Sequence, residues 1–257
     1  MSQNNSAPAL LTVSGLHKAF ADNQVLKGIN FTVHAGEVVA LIGPSGSGKT
    51  TALRCLNGLE IPNAGTVAFA GGPEVQFTAG MKPKSAQVLR QRSAMVFQGH
   101  HLFPHFTVLQ NVTAGPLEVQ KRPREEVLDQ ATALLARVGL ADKAQAYPSS
   151  LSGGQQQRVG IVRALMLKPD LLLFDEPTSA LDPELVGEVL VVIKELAQEG
   201  WSMVLVTHEL AFARDVADTV VFMDGGVVVE TGPASQVLST PQNPRTQAFM
   251  QRLLHPF

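Results

Sequence analysis

Cysteine, aromatic residues and long hydrophobic runs are scarce in this 257-residue sequence. Its one cysteine, Cys55, cannot form an internal disulfide, and the apolar neighbours Leu53 and Leu56 predict a buried core thiol. The longest apolar run, residues 38–42, is far shorter than the roughly 18 residues that a membrane-spanning helix needs. We therefore expect a chain of one large domain or two modest ones that does not cross a bilayer by itself.

An excess of charge of one sign is also missing. The sequence has 20 Lys and Arg residues against 22 Asp and Glu residues, which gives a net charge of -2. Proteins that bind nucleic acid need a basic surface for the phosphate backbone, so we expect no nucleic-acid partner. The N-terminus has no positive region ahead of an apolar stretch and does not resemble a secretion signal, and residues 1–8 are typical of a disordered terminus. The cytosol is therefore the expected compartment.

The hydrophobic pattern predicts an α/β fold. Residues 11–13 and the alternating Ile29, Phe31 and Val33 flank a turn-rich stretch, which indicates an N-terminal antiparallel ribbon. Helical patterns then separate several apolar runs of the kind found in strands buried on both faces. These runs are residues 38–42, 95–97, 171–174 and 203–206. A mainly parallel sheet covered by helices is the simplest architecture for this order of elements.

The segment between the second and third of these runs has no convincing strand. It contains only helical patterns, so we expect an inserted helical subdomain over residues 99–169. Residues 1–98 and 170–257 are then expected to form the core. Within its second part we expect a helix over residues 183–199 and a hairpin over residues 220–229.

The first buried run leads into a glycine-rich loop and then into a helix. Residues 43–50 fit the pattern G-x-x-x-x-G-K-[ST], in which glycines let backbone N–H groups surround a polyphosphate. The helix N-terminus adds partial positive charge, Lys49 reaches the β and γ phosphates, and the Thr50 hydroxyl is a ligand for Mg²⁺. The alternative is a flexible turn without a ligand. We predict an ATP site formed by Gly43, Pro44, Ser45, Gly46, Ser47, Gly48, Lys49, Thr50 and Thr51.

Two carboxylates follow the buried run of residues 171–174. Asp175 and Glu176 lie where ligands bind in an open α/β sheet, at the carboxyl end of a strand. We expect Asp175 to hold Mg²⁺ through water and Glu176 to polarise the water that attacks the γ phosphate. A plain polar strand end before Pro177 is the alternative, and this motif alone does not decide between the two.

Residues 151–155, Leu-Ser-Gly-Gly-Gln, decide the class. Together with the two preceding motifs they resemble the signature of the ATP-binding cassette (ABC) family, whose ATPase subunits power membrane transporters. Ser152 also suits an N-cap, and the two glycines after it leave helix N–H groups free to face an anion. Because one phosphate site is already built on the helix that follows Lys49, we expect this motif to bind nucleotide on another subunit, through Ser152, Gly153, Gly154 and Gln155.

The resemblance implies a P-loop NTPase fold and two copies of the chain that sandwich two ATP molecules head to tail. It also implies roles for single residues. Phe20 would stack on adenine, Gln98 would contact Mg²⁺ and the attacking water, and His208 would sense the γ phosphate. Asp182 would lie in a loop that crosses the dimer interface. From the residues alone, Phe20 is equally an ordinary core residue at a strand end, and Asp182 before Pro183 is an N-cap.

The resemblance covers essentially the whole chain and is strongest to the ATPases of polar amino-acid importers, in particular the cystine-type branch. The supporting stretches are residues 102–111, 183–188, 212–217 and 241–245. The sequence departs from the family pattern at Gly160 and Val162, where alanines are usual, and at residues 99–101, Gly-His-His. Gly160 lowers helix propensity, and we expect the two histidines to alter contacts with a permease rather than to bind a metal.

The family resemblance favours one function over three alternatives. We expect an ATPase that powers uptake of a polar amino acid through a separate integral membrane permease, supplied by an extracytoplasmic solute-binding protein. Its expected location is the cytoplasmic face of the inner (plasma) membrane. One alternative is an ABC ATPase for a different solute. Another is a soluble relative acting on nucleic acid or ribosomes, which the near-neutral charge disfavours, and the last is a P-loop kinase, which needs no motif like residues 151–155. The solute does not follow from the sequence, because other subunits select it.

Overall fold

The computed structural model describes residues 7–78 and 80–254, which form two β-sheets and the helices around them. The strands are β1 (Ala9–Phe20), β2 (Asn23–His34), β3 (Val38–Ile42), β4 (Ala64–Phe69), β5 (Glu74–Phe77), β6 (Ser93–Val96), β7 (Leu171–Asp175), β8 (Met203–Val206), β9 (Thr219–Asp224) and β10 (Val227–Pro233). The α-helices are α1 (Lys49–Leu56), α2 (Gln87–Arg92), α3 (Val108–Ala114), α4 (Arg124–Arg137), α5 (Gly153–Leu165), α6 (Pro183–Gln198), α7 (Leu210–Val216), α8 (Ala234–Val237) and α9 (Pro244–Leu254). Short 3₁₀ turns cover Pro83–Ala86, Ala141–Lys143 and Pro148–Ser150, and Gly115–Val119 forms a π-helical turn.

The larger sheet has the strand order β10-β9-β3-β8-β7-β6 and confirms the predicted mainly parallel sheet. All neighbouring strands in it are parallel except β9 and β10. Leu41 and Leu173 belong to a core shared with α1 and the smaller sheet, whereas Leu172 and Phe174 belong to a core shared with helices α3 to α6. Because both faces are covered, every residue of β3, β7 and β8 is buried. The carboxyl ends of these three strands meet at one edge, where the predicted site residues follow.

The smaller sheet is antiparallel throughout, in the order β2-β1-β4-β5. Strands β1 and β2 confirm the predicted N-terminal ribbon. The second hairpin, β4 and β5, is absent from the sequence predictions, although buried Val67, Phe69 and Val75 alternate with more exposed residues as a half-buried strand pair requires. These side chains join the core below β3, where Cys55 is fully buried as predicted.

The chain between β6 and β7 is described throughout and contains helices and turns but no strand. Helices α3, α4 and α5 share their core with α6. The predicted helix over residues 183–199 is confirmed as α6, and the predicted C-terminal hairpin is confirmed as β9 and β10. The domain boundaries at residues 98/99 and 169/170 stay a prediction. In the part of the chain that the structure describes, no helix is long and apolar enough to cross a membrane.

The terminus predicted to be disordered falls mostly outside the described residues, which begin at Ala7. Ala7 and Pro8 themselves are bonded to the end of β2. The carbonyl of Ala7 bonds to the His34 ring, and the carbonyl of Pro8 accepts from the backbone N–H of Ala35. The prediction of disorder was therefore wrong for Ala7 and Pro8, because hydrogen bonds to His34 and Ala35 hold both residues beside the end of β2.

Candidate ATP site

The loop between β3 and α1 is shaped to surround an anion. Gly43 and Gly48 both adopt positive φ values, of 146° and 98°. Neither has room for a side chain. A Cβ atom at Gly43 would overlap the carbonyl oxygen of Met223 in β9, and one at Gly48 would lie 2.8 Å from Leu26 Cδ2 in β2. Glycine is therefore required at both positions for the loop to pack against these strands.

Lys49 begins helix α1 and is buried within the loop. Its Nζ atom donates hydrogen bonds to the carbonyl oxygens of Gly43, at 2.8 Å, and Pro44, at 2.9 Å. Burial lowers the pKa of Lys49, and the nearby carboxylates of Glu176 and Asp175 act against this shift. The ammonium group is thus held by two neutral carbonyl oxygens. Phosphate oxygens can take their place, because hydrogen bonds between two charged groups are stronger.

A cavity of about 330 Å³ opens beside this loop. It is lined by Asn23, Val25, Ser45, Gly46, Gly48, Lys49, Thr50, Thr51 and Glu176. Gly43, Pro44 and Ser47 belong to the loop but not to this lining. The Ser47 hydroxyl is buried and has no hydrogen-bond partner among the described residues. Because buried hydroxyls are normally paired, this loop fits a ligand rich in acceptor oxygens, such as a polyphosphate.

Asp175 lies at the end of β7, beside the first turn of α1. It is 1% exposed, and its Oδ1 atom accepts a hydrogen bond from the Thr50 hydroxyl at 2.7 Å. Arg54, one turn further along α1, places Nη2 3.4 Å from the other carboxylate oxygen. A hydroxyl and a carboxylate that lie side by side are ligand types that Mg²⁺ prefers. The residues present therefore fit the predicted magnesium site.

Glu176 and His208 meet across the ends of β7 and β8. His208 Nε2 lies 3.0 Å from Glu176 Oε1, and the backbone N–H of Glu176 donates to the carbonyl of Val206. Glu176 has a φ of 46°, a conformation that costs a non-glycine residue of order 1–3 kcal/mol. Backbone strain of this kind is concentrated at functional sites, and here it directs a carboxylate into the cavity beside Lys49.

Gln98 is exposed and therefore accessible to a ligand. The backbone before and after it accepts hydrogen bonds from side chains of α5. Gln157 donates to the carbonyl of Phe97 at 3.2 Å. Arg163 donates to the carbonyls of His100, at 2.9 Å, and His101, at 2.7 Å. Gln98 is not among the residues that line the phosphate-loop cavity, so its predicted contacts with Mg²⁺ and water stay a prediction.

Phe20 is 45% exposed at the end of β1, which excludes the interpretation of an ordinary core residue. It pairs with Asn23, the first residue of β2, and Asn23 lines the phosphate-loop cavity. Lys18 Nζ lies 4.6 Å from the centre of the Phe20 ring. An exposed ring next to this cavity agrees with stacking on a base, which remains a prediction.

The motif at residues 151–155 begins helix α5 with a complete capping box. Ser152 Oγ accepts from the N–H of Gln155, and the Gln155 side chain accepts from the N–H of Ser152. The predicted N-cap is thus confirmed. A Cβ atom at Gly153 would lie 3.1 Å from Leu181 Cδ2, just before α6, and one at Gly154 would lie 3.3 Å from Leu185 Cβ in α6. These glycines therefore allow the start of α5 to pack closely against both residues.

Asp182 occupies the predicted N-cap position of α6, with Pro183 in the first turn. The predicted N-cap is thus confirmed, and its side chain makes no capping hydrogen bond. Neither Asp182 nor residues 152–155 line the phosphate-loop cavity of their own chain. Their predicted contacts with nucleotide on another subunit stay a prediction.

A separate groove of about 530 Å³ lies between the larger sheet and the helical segment. Its mostly apolar wall includes Met95, Phe97, His101, Phe103, Val119 and Arg163. Phe103 and its neighbour Phe106 are 52% and 38% exposed, and their rings contact each other in a tilted arrangement with centres 5.3 Å apart. Large exposed aromatic side chains next to an apolar groove indicate an interaction surface.

Comparisons with known proteins identify the family. The profile of the ABC transporter family matches residues 26–179, more than half of the chain. The chain belongs to the ABC transporter ATP-binding family. It is similar to the L-cystine import ATP-binding protein TcyC of Bacillus subtilis, with 59% identity over 96% of this chain and all of that protein. It is also 50% identical to the octopine permease ATP-binding protein P of Rhizobium radiobacter, over 96% of this chain and 97% of that protein.

A solved structure agrees with this assignment. A dimeric ATP-binding cassette bound to ADP and Pi in a post-hydrolysis state has a TM-score of 0.75 and 31% identity, covering 88% of this chain and 99% of that chain. The P-loop NTPase fold predicted for this ABC protein is therefore confirmed. The chain binds ATP, and it is an ATPase whose hydrolysis is coupled to transport.

Several residues that shape the site are missing from the sequence predictions. Asn23 and Val25 line the cavity only because β2 packs over the loop, and no local signal indicates this. Arg54 could have been found, because it lies four residues after Thr50 and therefore on the same side of α1. Arg163 has no such signal, since its partners lie in a distant loop.

Proposed function

We propose that this ABC protein is the ATP-hydrolysing subunit of an importer that takes up a polar amino acid through a separate permease. The observation that carries the proposal is the convergence of Lys49, Asp175, Glu176 and His208 at one sheet edge beside a polyphosphate-shaped loop. Family membership supports the coupling to transport. The relatives named for cystine and octopine support an amino-acid solute.

Each residue of the site has a task that its position supports. Lys49 exchanges its bonds with two loop carbonyls for bonds to phosphate oxygens, and Phe20 stacks on the base. Thr50, Asp175 and Gln98 would hold Mg²⁺, which would neutralise phosphate charge. Glu176 accepts a hydrogen bond from the attacking water and orients it. His208 holds Glu176 through their 3.0 Å contact and reaches the γ phosphate from the adjoining strand end.

The site is completed by a second copy of the chain. Ser152 with its two following glycines and Asp182 lie outside their own chain's cavity, so in this proposal they close over the partner's nucleotide.

Sedimentation tests this in the Glu176→Gln background, where ATP should produce dimers and ADP mostly monomers. Adding Ser152→Arg should abolish the dimer, because a bulky side chain blocks the approach of backbone to phosphate. Thr132→Arg on α4 adds the same charge and bulk elsewhere and should leave the dimer intact. Normal dimers with Ser152→Arg would refute this arrangement.

The groove beside Phe103 and Phe106 is the proposed docking site of the integral membrane permease, which places the protein on the cytoplasmic face of the inner (plasma) membrane. A photo-reactive residue at position 103 should cross-link to an integral membrane protein. The same residue at position 225, in the turn between β9 and β10, is the control. Links only from position 225 would show that the docking surface lies elsewhere.

The transported solute is proposed to be a polar amino acid, with cystine favoured, delivered by an extracytoplasmic solute-binding protein. Uptake of labelled amino acids by cells that carry Lys49→Ala tests this, because the variant cannot neutralise the phosphates. Lys194→Ala, which removes an exposed lysine on α6, is the control. Loss of uptake of one polar amino acid would support the proposal. Intact amino-acid uptake with loss of a sugar, metal or lipid would overturn it.

A further inference from the structure

The loop that follows Gln98 is bound to helix α5 by one arginine. We propose that Arg163 is a positioning residue that fastens residues 99–101 to α5, so that Gln98 and the groove wall at His101 move together with Ser152. This inference rests on the proposed function, which gives Gln98 and Ser152 their nucleotide contacts. It adds a physical connection between those contacts and the groove.

The contact uses the planar shape of the guanidinium group. Arg163 Nη1 lies 2.7 Å from the carbonyl oxygen of His101, and Nη2 lies 2.9 Å from that of His100. Arginine presents two donors in a fixed fork, whereas a lysine ammonium group is a point charge without that geometry. Burial also lowers the pKa of Arg163, which agrees with limited access of water to these bonds.

The loop needs such a restraint because its backbone is strained. His100 and His101 have φ values of 57° and 47°, and two consecutive non-glycine residues in this region are unusual. The N–H of His101 also bonds back to the carbonyl of Gly99 at 2.5 Å. Strained conformations persist only where surrounding contacts hold them, and Arg163 holds both strained residues at once.

The two ends of the fastened loop reach different functional surfaces. Gln98 precedes it, and the His101 ring lines the groove and contacts the Phe97 ring edge to face, with ring centres 5.2 Å apart. Helix α5 begins at the Ser152 cap, 11 residues before Arg163. A movement of α5 toward a partner's nucleotide would therefore carry both Gln98 and the groove wall with it.

Amide hydrogen exchange tests the fastening in the nucleotide-free protein. Arg163→Met should make the amides of residues 99–103 exchange at least about tenfold faster while the middle of α5 keeps its protection. Arg163→Lys retains the positive charge and can donate to one of the two carbonyls, so its exchange rate at these residues should be intermediate. If the methionine variant does not fold, the lysine variant provides the test. Arg122→Met is the matched control, because Arg122 also donates to a backbone carbonyl, that of Met166 at 2.8 Å. Unchanged exchange at residues 99–103, or equally faster exchange throughout α5, would overturn the proposal.

A second arm adds ATP and Mg²⁺ in the Glu176→Gln background. In that parent, residues 99–103 and 152–156 should become protected together. With Arg163→Met, residues 152–156 should still respond while residues 99–103 should not. A joint response that survives the substitution would refute the coupling. If ATP protects neither segment in the parent, the proposed nucleotide contacts are wrong, and the nucleotide-free arm still decides whether Arg163 holds the loop.

Discussion

The Thr50 hydroxyl donates a 2.7 Å hydrogen bond to the Asp175 carboxylate and so joins the first turn of α1 to the end of β7. The two residues are 125 positions apart in the chain. Burying a carboxylate is costly unless it is paired, so this bond and the nearby Arg54 guanidinium stabilise Asp175 in its position. The same bond keeps Thr50 and Asp175, two of the three proposed magnesium-binding residues, side by side.

Thr50→Val should damage both stability and turnover. The variant keeps the shape of the side chain but leaves a buried carboxylate oxygen without its donor, which costs about 1–3 kcal/mol of unfolding free energy. ATP turnover should fall roughly 100-fold or more, because a group that stabilises the reacting phosphates is lost. Urea unfolding and phosphate release measure the two effects. Thr50→Ser retains the hydroxyl and should stay near the parent in both, and a serine variant as impaired as the valine one would contradict this account.

Gly160→Ala should stabilise the protein. Gly160 lies inside helix α5, where glycine costs about 0.8–1.0 kcal/mol relative to alanine. A Cβ atom there would lie 3.9 Å from the carbonyl oxygen of His100, an ordinary contact. We expect a gain of about 0.5–1 kcal/mol in thermal or urea unfolding. Gly154→Ala, in the same helix but facing Leu185 at 3.3 Å, is the comparison and should not give this gain.

Lowering the pH should destabilise the folded protein through His100. Burial, with a contribution from His101, lowers the pKa of His100 from its ordinary 6.5. The unfolded chain then binds the proton more readily, so unfolding free energy rises with pH up to about 6.5 and is lost below it. His100→Asn, which tolerates the positive φ, should reduce this slope by up to about 1.4 kcal/mol per pH unit. Urea titrations between about pH 5 and 6.5 measure it, and equal slopes in parent and variant would rule it out.

Cys55 should be inert to thiol reagents in the folded state. The side chain is fully buried, and burial raises its pKa to about 12. At pH 8 only roughly one thiol in ten thousand would be ionised, and the thiolate is the nucleophile. A chromogenic disulfide reagent should therefore react with one thiol in urea and with none in buffer. Rapid labelling in buffer would show that α1 opens locally.

The sequence predicts the phosphate loop, the carboxylates after β7 and the capped start of α5 because each is a local pattern. A glycine spacing, a buried run or a Ser followed by Gln three residues later has the same meaning in many folds. The hairpin of β4 and β5 is missed because each of its strands buries only two apolar residues, Val67 and Phe69 in β4 and Val75 and Phe77 in β5, and forms no continuous apolar run.

Contacts between distant segments could not be predicted in the same way. Arg54 and Asp175 are 121 residues apart, and Arg163 and His101 are 62 residues apart. Such pairs depend on the strand order and on how α5 packs, neither of which a local pattern specifies. The exposure of Phe20 likewise required the structure, since the residue type fits both a core and a stacking surface.

The central claim is that Glu176 orients the water in ATP hydrolysis, and Glu176→Gln tests it most directly. The amide has nearly the same size and keeps the same backbone strain, so folding and ATP binding should be retained. Phosphate release under single-turnover conditions should fall by at least about two orders of magnitude, because the lost interaction acts only in the transition state. Unchanged phosphate release in a preparation free of other ATPases, with ATP binding intact, would contradict the account.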